Sequence, residues 1–153
     1  MTPKIRIWKP LNTISGTYWF ENLSLTNTNF IFIYRKEQDR NTKIHIICGG
    51  GLPSFRYTNE TYVNGFTHLD NLEEIKKIRP WCFYTVEDSE YLKKISDDSG
   101  GLSDYLGFKH YCIISDNEVL DLIYSNKVEP VVELIIDGKI VESSDPEHHS
   151  LKS

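Results

Sequence analysis

Hydrophobic positions in the first half of the chain recur mainly with a period of two, the spacing of a half-buried strand. Lys4–Trp8 alternates over a short run, and Thr17–Leu25 is aromatic and strand-like. Asn29–Arg35 is nearly continuous in apolar residues, as expected of a central strand. Glu37–Asn41 reads as a charged turn. Lys43–Cys48 then places Ile44, Ile46 and Cys48 on one face and His45 and Ile47 on the other. Gly49-Gly50-Gly51-Leu52-Pro53 ends that strand, because glycine frees the backbone and proline removes a hydrogen-bond donor. Phe55–Thr58 reads as a further strand, and Asn64-Gly65 as a hairpin-type turn. The first part is therefore predicted to be a β meander.

The second part reads as alternating helix and strand. Asp70 with Glu73 forms a capping-box pattern, which opens a short helix with Leu72 and Ile75 inward, ending before Pro80. Trp81–Val86 is a predicted strand. A helix over Glu87–Ser99 would bury Tyr91, Leu92 and Ile95 and stop at Gly100-Gly101. Leu102–Leu106 reads as one further turn, and Lys109–Ile114 as a strand. Ser115 with Glu118 is a second capping box, predicted to open a helix with Val119, Leu120, Ile123 and Tyr124 on one side. Val131–Ile136 and Lys139–Val141 close the chain as a hairpin through Asp137-Gly138. The expected fold is one α+β domain over residues 1–142, with a mostly antiparallel β-sheet. Its two to three helices would be concentrated in the second half, and residues 143–153 would form a polar, frayed tail.

Composition sharpens this picture. The chain has 153 residues, 17 isoleucines, 9 tyrosines and no alanine, a bias toward sheet. It is also what an A/T-rich gene encodes, since alanine codons are G/C-rich. A chain this long buries enough surface to fold without a disulfide or metal. Cys48, Cys82 and Cys112 are odd in number, far apart and set in apolar runs, so they read as free buried thiols in a reducing cytoplasm. No run approaches the roughly 20 apolar residues of a membrane-spanning helix. The N-terminal segment lacks the apolar core of a secretory signal, which gives a cytoplasmic expectation.

Charge is more informative. The formal net of -5 argues against a nucleic-acid binder, because affinity for phosphate rests on Lys and Arg. Residues 1–80 carry 11 basic and 7 acidic residues, a net of +4, whereas residues 81–153 carry 6 and 15, a net of -9. Acids in first helical turns complement the helix dipole, which accounts for Glu87, Asp88, Asp116 and Glu118. Glu90 and Lys94 make an i, i+4 pair. Asp97 and Asp98 fall at the wrong end of their predicted helix, and Asp104 has no such explanation either. Tyr91 and Tyr105 lie among these acids. Acids mixed with aromatics suit a basic protein partner, with charge steering the encounter and aromatics anchoring it. The expected partner-binding residues are Glu90, Tyr91, Asp97, Asp98, Asp104 and Tyr105.

Catalytic and metal motifs are sparse. His110 and Cys112 share a strand face, a spacing that a metal or a Cys–His pair could use, but nothing nearby in sequence completes a ligand set. Gly49-Gly50-Gly51 with Ser54 and Arg56 resembles an anion-binding nest, yet the Walker and dinucleotide patterns are absent. No Gly-x-Ser-x-Gly elbow or His-Glu-x-x-His is present, and no two carboxylates stand out as a glycosidase pair. The expectation is a non-enzyme without cofactor or metal, binding neither nucleic acid nor membrane. Two alternatives remain. One is a small-molecule or regulatory module with a pocket between sheet and helices, lined by Trp19, Phe32 and Tyr57. The other is a small hydrolase using the glycine-rich turn, Arg56 and a histidine such as His45 or His110.

Three segments carry a resemblance. They are Tyr91-Leu92-Lys93-Lys94-Ile95-Ser96-Asp97-Asp98-Ser99-Gly100-Gly101, Lys109-His110-Tyr111-Cys112-Ile113-Ile114 and Glu118-Val119-Leu120-Asp121-Leu122-Ile123. Within residues 81–135 the chain resembles small bacterial immunity proteins of polymorphic-toxin and contact-dependent growth inhibition systems. The likeness is one of size, element order, acidic face and composition. It implies a cytoplasmic, non-catalytic antitoxin that occludes the active site of a cognate toxin domain. A basic nuclease would match the acidic surface.

Overall fold

The computed structural model describes residues 4–50, 52, 54–59, 81–98, 107–115 and 118–145. The chain divides into two compact units, each built from two stretches of sequence. The first unit takes Met1–Trp8 and Gly51–Glu129, and the second takes Lys9–Gly50 and Pro130–Ser153. No helix among the described residues is long and apolar enough to cross a membrane.

The second unit holds strands β2 (Tyr18–Leu25), β3 (Asn29–Lys36), β4 (Asp39–Gly49), β9 (Val131–Ile136) and β10 (Lys139–Ser143). They form an antiparallel sheet in the order β10-β9-β4-β3-β2. Alternation dictates its core. Ile44 and Ile46 of β4 sit opposite Tyr34 and Phe32 of β3, and opposite Leu134 and Val132 of β9, and all six are buried. The Asp137-Gly138 turn has φ of 52° and 77°, the left-handed pair that a two-residue hairpin needs to match strand twist. Glu142 accepts from the backbone N–H groups of Asn12 and Thr13 at 2.9 and 3.0 Å, and Ser143 is buried, so this end of the chain is tied down at least that far.

The first unit holds β1 (Lys4–Ile7), β5 (Ser54–Asn59), β6 (Phe83–Glu87), β7 (Phe108–Ser115) and β8 (Glu118–Ser125) in the antiparallel order β1-β6-β7-β8-β5. On one face Ile5, Tyr84, Cys112, Ile114 and Val119 form a hydrophobic cluster with Trp81 and Val86 packed against it. On the other face Phe83, Tyr111, Ile113, Leu120 and Leu122 are buried, and Trp8 packs on Phe83 and Tyr111 at centroid distances of 5.6 and 4.9 Å.

The expected α+β class with two to three late helices does not hold. Among the described residues there is one short helix, α1 (Glu90–Asp98), and two antiparallel sheets. The predicted helix after Ser115 is strand β8. Ser115 stands opposite Glu118, and its hydroxyl donates to Glu118 Oε2 at 3.1 Å, so the capping-box pair closes a β hairpin instead. The physical reason is burial on both faces. Every residue from Val119 to Tyr124 is buried, so β8 shows no polar alternation, and such a run reads as helix or strand equally well. Helix α1 also starts later than the predicted Glu87–Ser99. Glu87 still belongs to β6, where it pairs with Lys4, and Asp88 turns the chain with φ 53°. The predicted helix after Asp70, the Asn64-Gly65 turn and the turn at Leu102–Leu106 lie outside the described residues.

Candidate functional site

Helix α1 packs on the face of the first sheet that carries the hydrophobic cluster, and a polar network lies between them. Register builds that network. Arg56 of β5 is directly opposite Asp121 of β8, and Asp121 is opposite Cys112 of β7. His110, two residues before Cys112, shares its face and lies diagonal to Asp121. Residues in that relation stand close enough for long side chains to meet.

The Asp121 carboxylate is the hub. Its Oδ1 lies 2.6 Å from His110 Nε2. Its Oδ2 accepts from Arg56 Nε and Nη2, each at 3.1 Å. The side chains of Asp121 and His110 are each 7% exposed, and that of Arg56 is 51% exposed. Burial works to raise the Asp121 carboxyl, but the hydrogen bond and charge at His110, with those of Arg56, outweigh it and hold it below its usual value. A buried carboxylate without such partners would be untenable.

On its other side His110 Nδ1 lies 2.7 Å from Ser89 Oγ. Ser89 is the residue before α1. Its hydroxyl oxygen accepts the Leu92 N–H at 3.0 Å and its carbonyl accepts the Lys93 N–H at 3.1 Å, the two bonds of an N-cap. An ionised carboxylate only accepts hydrogen bonds, so Nε2 carries the imidazole proton that faces Asp121. In neutral His110 this leaves the Nδ1 lone pair for the Ser89 hydroxyl to donate to.

Tyr91 ties the helix down. Its ring stands edge-on to His110 at 5.5 Å, the Arg56 guanidinium lies 4.1 Å from its centroid, and its hydroxyl is 2.5 Å from Ser54 Oγ. Burial raises the Tyr91 hydroxyl, against the lowering influence of Ser54 and Arg56.

The expected partner residues separate into two groups. Glu90, Asp97 and Asp98 lie on α1 and are exposed. Lys93 and Lys94 lie between them along the helix, yet no ion pair joins these residues among the described ones. The last turn carries no basic residue. Tyr91, by contrast, is half-buried against the sheet. Asp104 and Tyr105 lie outside the described residues. The charge asymmetry follows chain order and not the units. By sequence the first unit holds 10 basic and 14 acidic residues, a net of -4, and the second holds 7 and 8, a net of -1.

Other candidates are placed as follows. Ser54 and Arg56, read with the glycine turn as an anion nest, are engaged by Tyr91 and Asp121. His45 lies on β4 in the second unit, whereas Arg56 and His110 meet on the same carboxylate in the first. Trp19 and Phe32 belong to one sheet and Tyr57 to the other; Phe32 is fully buried, while Trp19 and Tyr57 are exposed. Cys48 and Cys82 are pushed up to about 12 by burial, and Cys112 rises for the same reason with Asp121 beside it. Among the described residues no group of three or more His, Cys, Asp or Glu is placed to hold a metal ion.

The Ser89–His110–Asp121–Arg56 network is not legible in the sequence, where Ser89 and Asp121 fall inside predicted helices. Comparisons of the chain with protein-family models, curated proteins and solved structures gave no match.

Proposed function

We propose that the chain is an immunity-type protein that binds a basic toxin domain through the acidic face of α1 and so blocks the toxin's active site. The observation that carries this reading is the exposure of Glu90, Asp97 and Asp98 on a helix anchored from below. Asp97 and Asp98 sit at the negative end of the helix dipole, where their charge costs stability. Charge retained at such a cost suits a role outside the fold.

Anchoring matters to this role. Ser89 caps the helix and Tyr91 is held by Arg56, His110 and Ser54, so the acids are presented on a fixed backbone. A preorganised surface loses less entropy on binding than a mobile one. Asp104 and Tyr105 follow the helix in sequence and stay partner-binding candidates on sequence grounds alone. A nuclease is the favoured toxin class, because its substrate cleft must itself be basic to bind phosphate. The site of action is the cytoplasm, where such a toxin meets its substrate.

Co-expression tests this. The gene is expected to lie beside one that encodes a basic toxin domain; that domain should co-purify with the chain, and the chain should restore growth to cells making it. A toxin that neither binds nor is neutralised would remove the proposal.

A further inference from the structure

We infer that Ser89, His110 and Asp121 form a hydrolytic triad, with Ser89 Oγ as the nucleophile toward an unhindered carboxylic ester. This goes beyond the partner-binding reading and does not depend on it.

The geometry is that of an activated hydroxyl. Ser89 Oγ is 2.7 Å from one imidazole nitrogen, and the other nitrogen is 2.6 Å from a carboxylate oxygen. Nucleophile, base and orienting acid thus stand within hydrogen-bond reach of one another in the required order. The nitrogens are used in the less common sense, with the acid on Nε2 and the hydroxyl on Nδ1. The chemistry is unaffected, because either nitrogen of a neutral imidazole accepts a proton when the other carries one. Arg56 clamps the second carboxylate oxygen, so Asp121 cannot turn away from His110.

The backbone around Ser89 is arranged for the same step. Strand β6 ends at Glu87, Asp88 takes a positive φ of 53°, and α1 begins at Glu90, so Ser89 sits on a sharp strand-to-helix turn. The first amides of a helix have no intrahelical acceptor, and those of Glu90 and Tyr91 follow the nucleophile directly. They are donors of the kind that stabilise an oxyanion next to such a turn. Ser89 is half-buried and not sealed in.

Each step balances. Ser89 Oγ attacks the ester carbonyl carbon as its proton passes to His110 Nδ1. The carbonyl electrons move onto oxygen, which the helix amides hold. The oxyanion collapses, the alkoxide leaves with the proton from Nδ1, and an acyl-Ser89 remains. Water then attacks that ester, giving its proton to Nδ1, and the released Ser89 oxygen takes it back as the carboxylic acid departs. Glu87 is paired with Arg6 at 3.0 Å, but Asp88 and Glu90 are exposed on either side of Ser89, so an anionic substrate is disfavoured. The class is a short neutral or cationic ester. Asp121 and Arg56 are positioning residues.

The test is covalent labelling of the full chain with a neutral alkyl fluorophosphonate, read by intact and peptide mass, beside hydrolysis of p-nitrophenyl acetate. One adduct on Ser89 is expected. His110→Gln should slow its formation by roughly 100-fold or more, the usual contribution of a general base. Ser89→Asn keeps a capping oxygen but no nucleophile; it should fold, shown by an unchanged circular dichroism spectrum, and take no label. Asp121→Asn should slow labelling and change its pH profile, which a merely structural role would leave alone. The proposal is overturned if the folded wild-type chain takes no label at Ser89. It is equally overturned if His110→Gln labels at the wild-type rate, or if ester hydrolysis survives in Ser89→Asn.

Discussion

Asp121 Oδ1 lies 2.6 Å from His110 Nε2, joining two buried side chains that stand diagonally across β7 and β8. Breaking this contact strands what remains. Asp121→Ala would leave His110 buried without its acceptor and Arg56 without its anion. Removing one partner of a buried pair costs roughly 3–5 kcal/mol, and the exposure of Arg56 puts the expected loss near the lower figure. Urea unfolding measures it. A loss below about 0.5 kcal/mol, the scale of an ordinary surface substitution, would show that the network does not hold the fold.

The same carboxyl sets a pH dependence. A group held low in the folded chain adds stability that is fully present above its unfolded value near 3.8 and is lost as pH falls through its folded value. Wild-type stability should therefore fall as the pH drops below 3.8, and Asp121→Asn should show a flatter acid limb. Urea midpoints taken across that range decide it. Parallel limbs for the two proteins would contradict the coupling.

Ser89 joins the network to the helix. Ser89→Ala removes the N-cap, worth about 1 kcal/mol, and leaves His110 Nδ1 without its partner. Ser89→Asn should recover most of the cap. The difference in melting temperature between the two variants reads the cap directly. Equal melting temperatures would mean that the Leu92 contact carries no energy.

The three thiols should be inert in the folded chain. Burial holds Cys48 and Cys82 at about 12 and Cys112 well above its usual value, so almost no thiolate exists at neutral pH. A disulfide reagent should react slowly with native protein and release three equivalents on unfolding in urea. Rapid stoichiometric reaction of the native chain would contradict this placement.

Gly138 has φ 77° in the β9–β10 turn, where a side chain is strained even though an added Cβ meets no neighbour within 4 Å. Gly138→Ala should cost about 1 kcal/mol by conformation alone. Thermal unfolding checks it, and an unchanged midpoint would exclude strain at this turn.

Much of the fold was legible where one sheet face is polar. Ile44, Ile46 and Cys48 alternate with His45 and Ile47, and β4 runs through them. Asp137-Gly138 marked its hairpin because few residues accept two successive left-handed positions. Legibility failed in β8, where both faces are buried and the apolar run carries no period. Two of the crossings between the units fall at Gly50–Gly51, inside the glycine run that the sequence marks as a strand end, and at Glu129–Pro130. The network beneath α1 had one sequence signal. Asp121 is the sole charged residue between Val119 and Tyr124, and a carboxylate inside an apolar run requires a basic partner when buried. Its partners are His110, diagonal on β7, and Arg56, directly opposite on β5, so they could be named only once register was known. Ser89 was hidden because a helix start at Glu87 would have placed it in the first turn.

Charge reversal at the exposed acids of α1 tests their role in partner binding most directly. Glu90, Asp97 and Asp98 are changed together to Lys in the full chain, and affinity for the neighbouring gene's toxin domain is measured at low and physiological salt. Asp97→Lys and Asp98→Lys place positive charge at the helix C-terminus, which favours the helix, whereas Glu90→Lys opposes the dipole at its start, so an unchanged circular dichroism spectrum is required of the triple variant. The expected result is a loss of affinity of roughly 100-fold at low salt, with a flatter salt dependence than the wild type shows. Unchanged affinity with an unchanged salt dependence would contradict the claim.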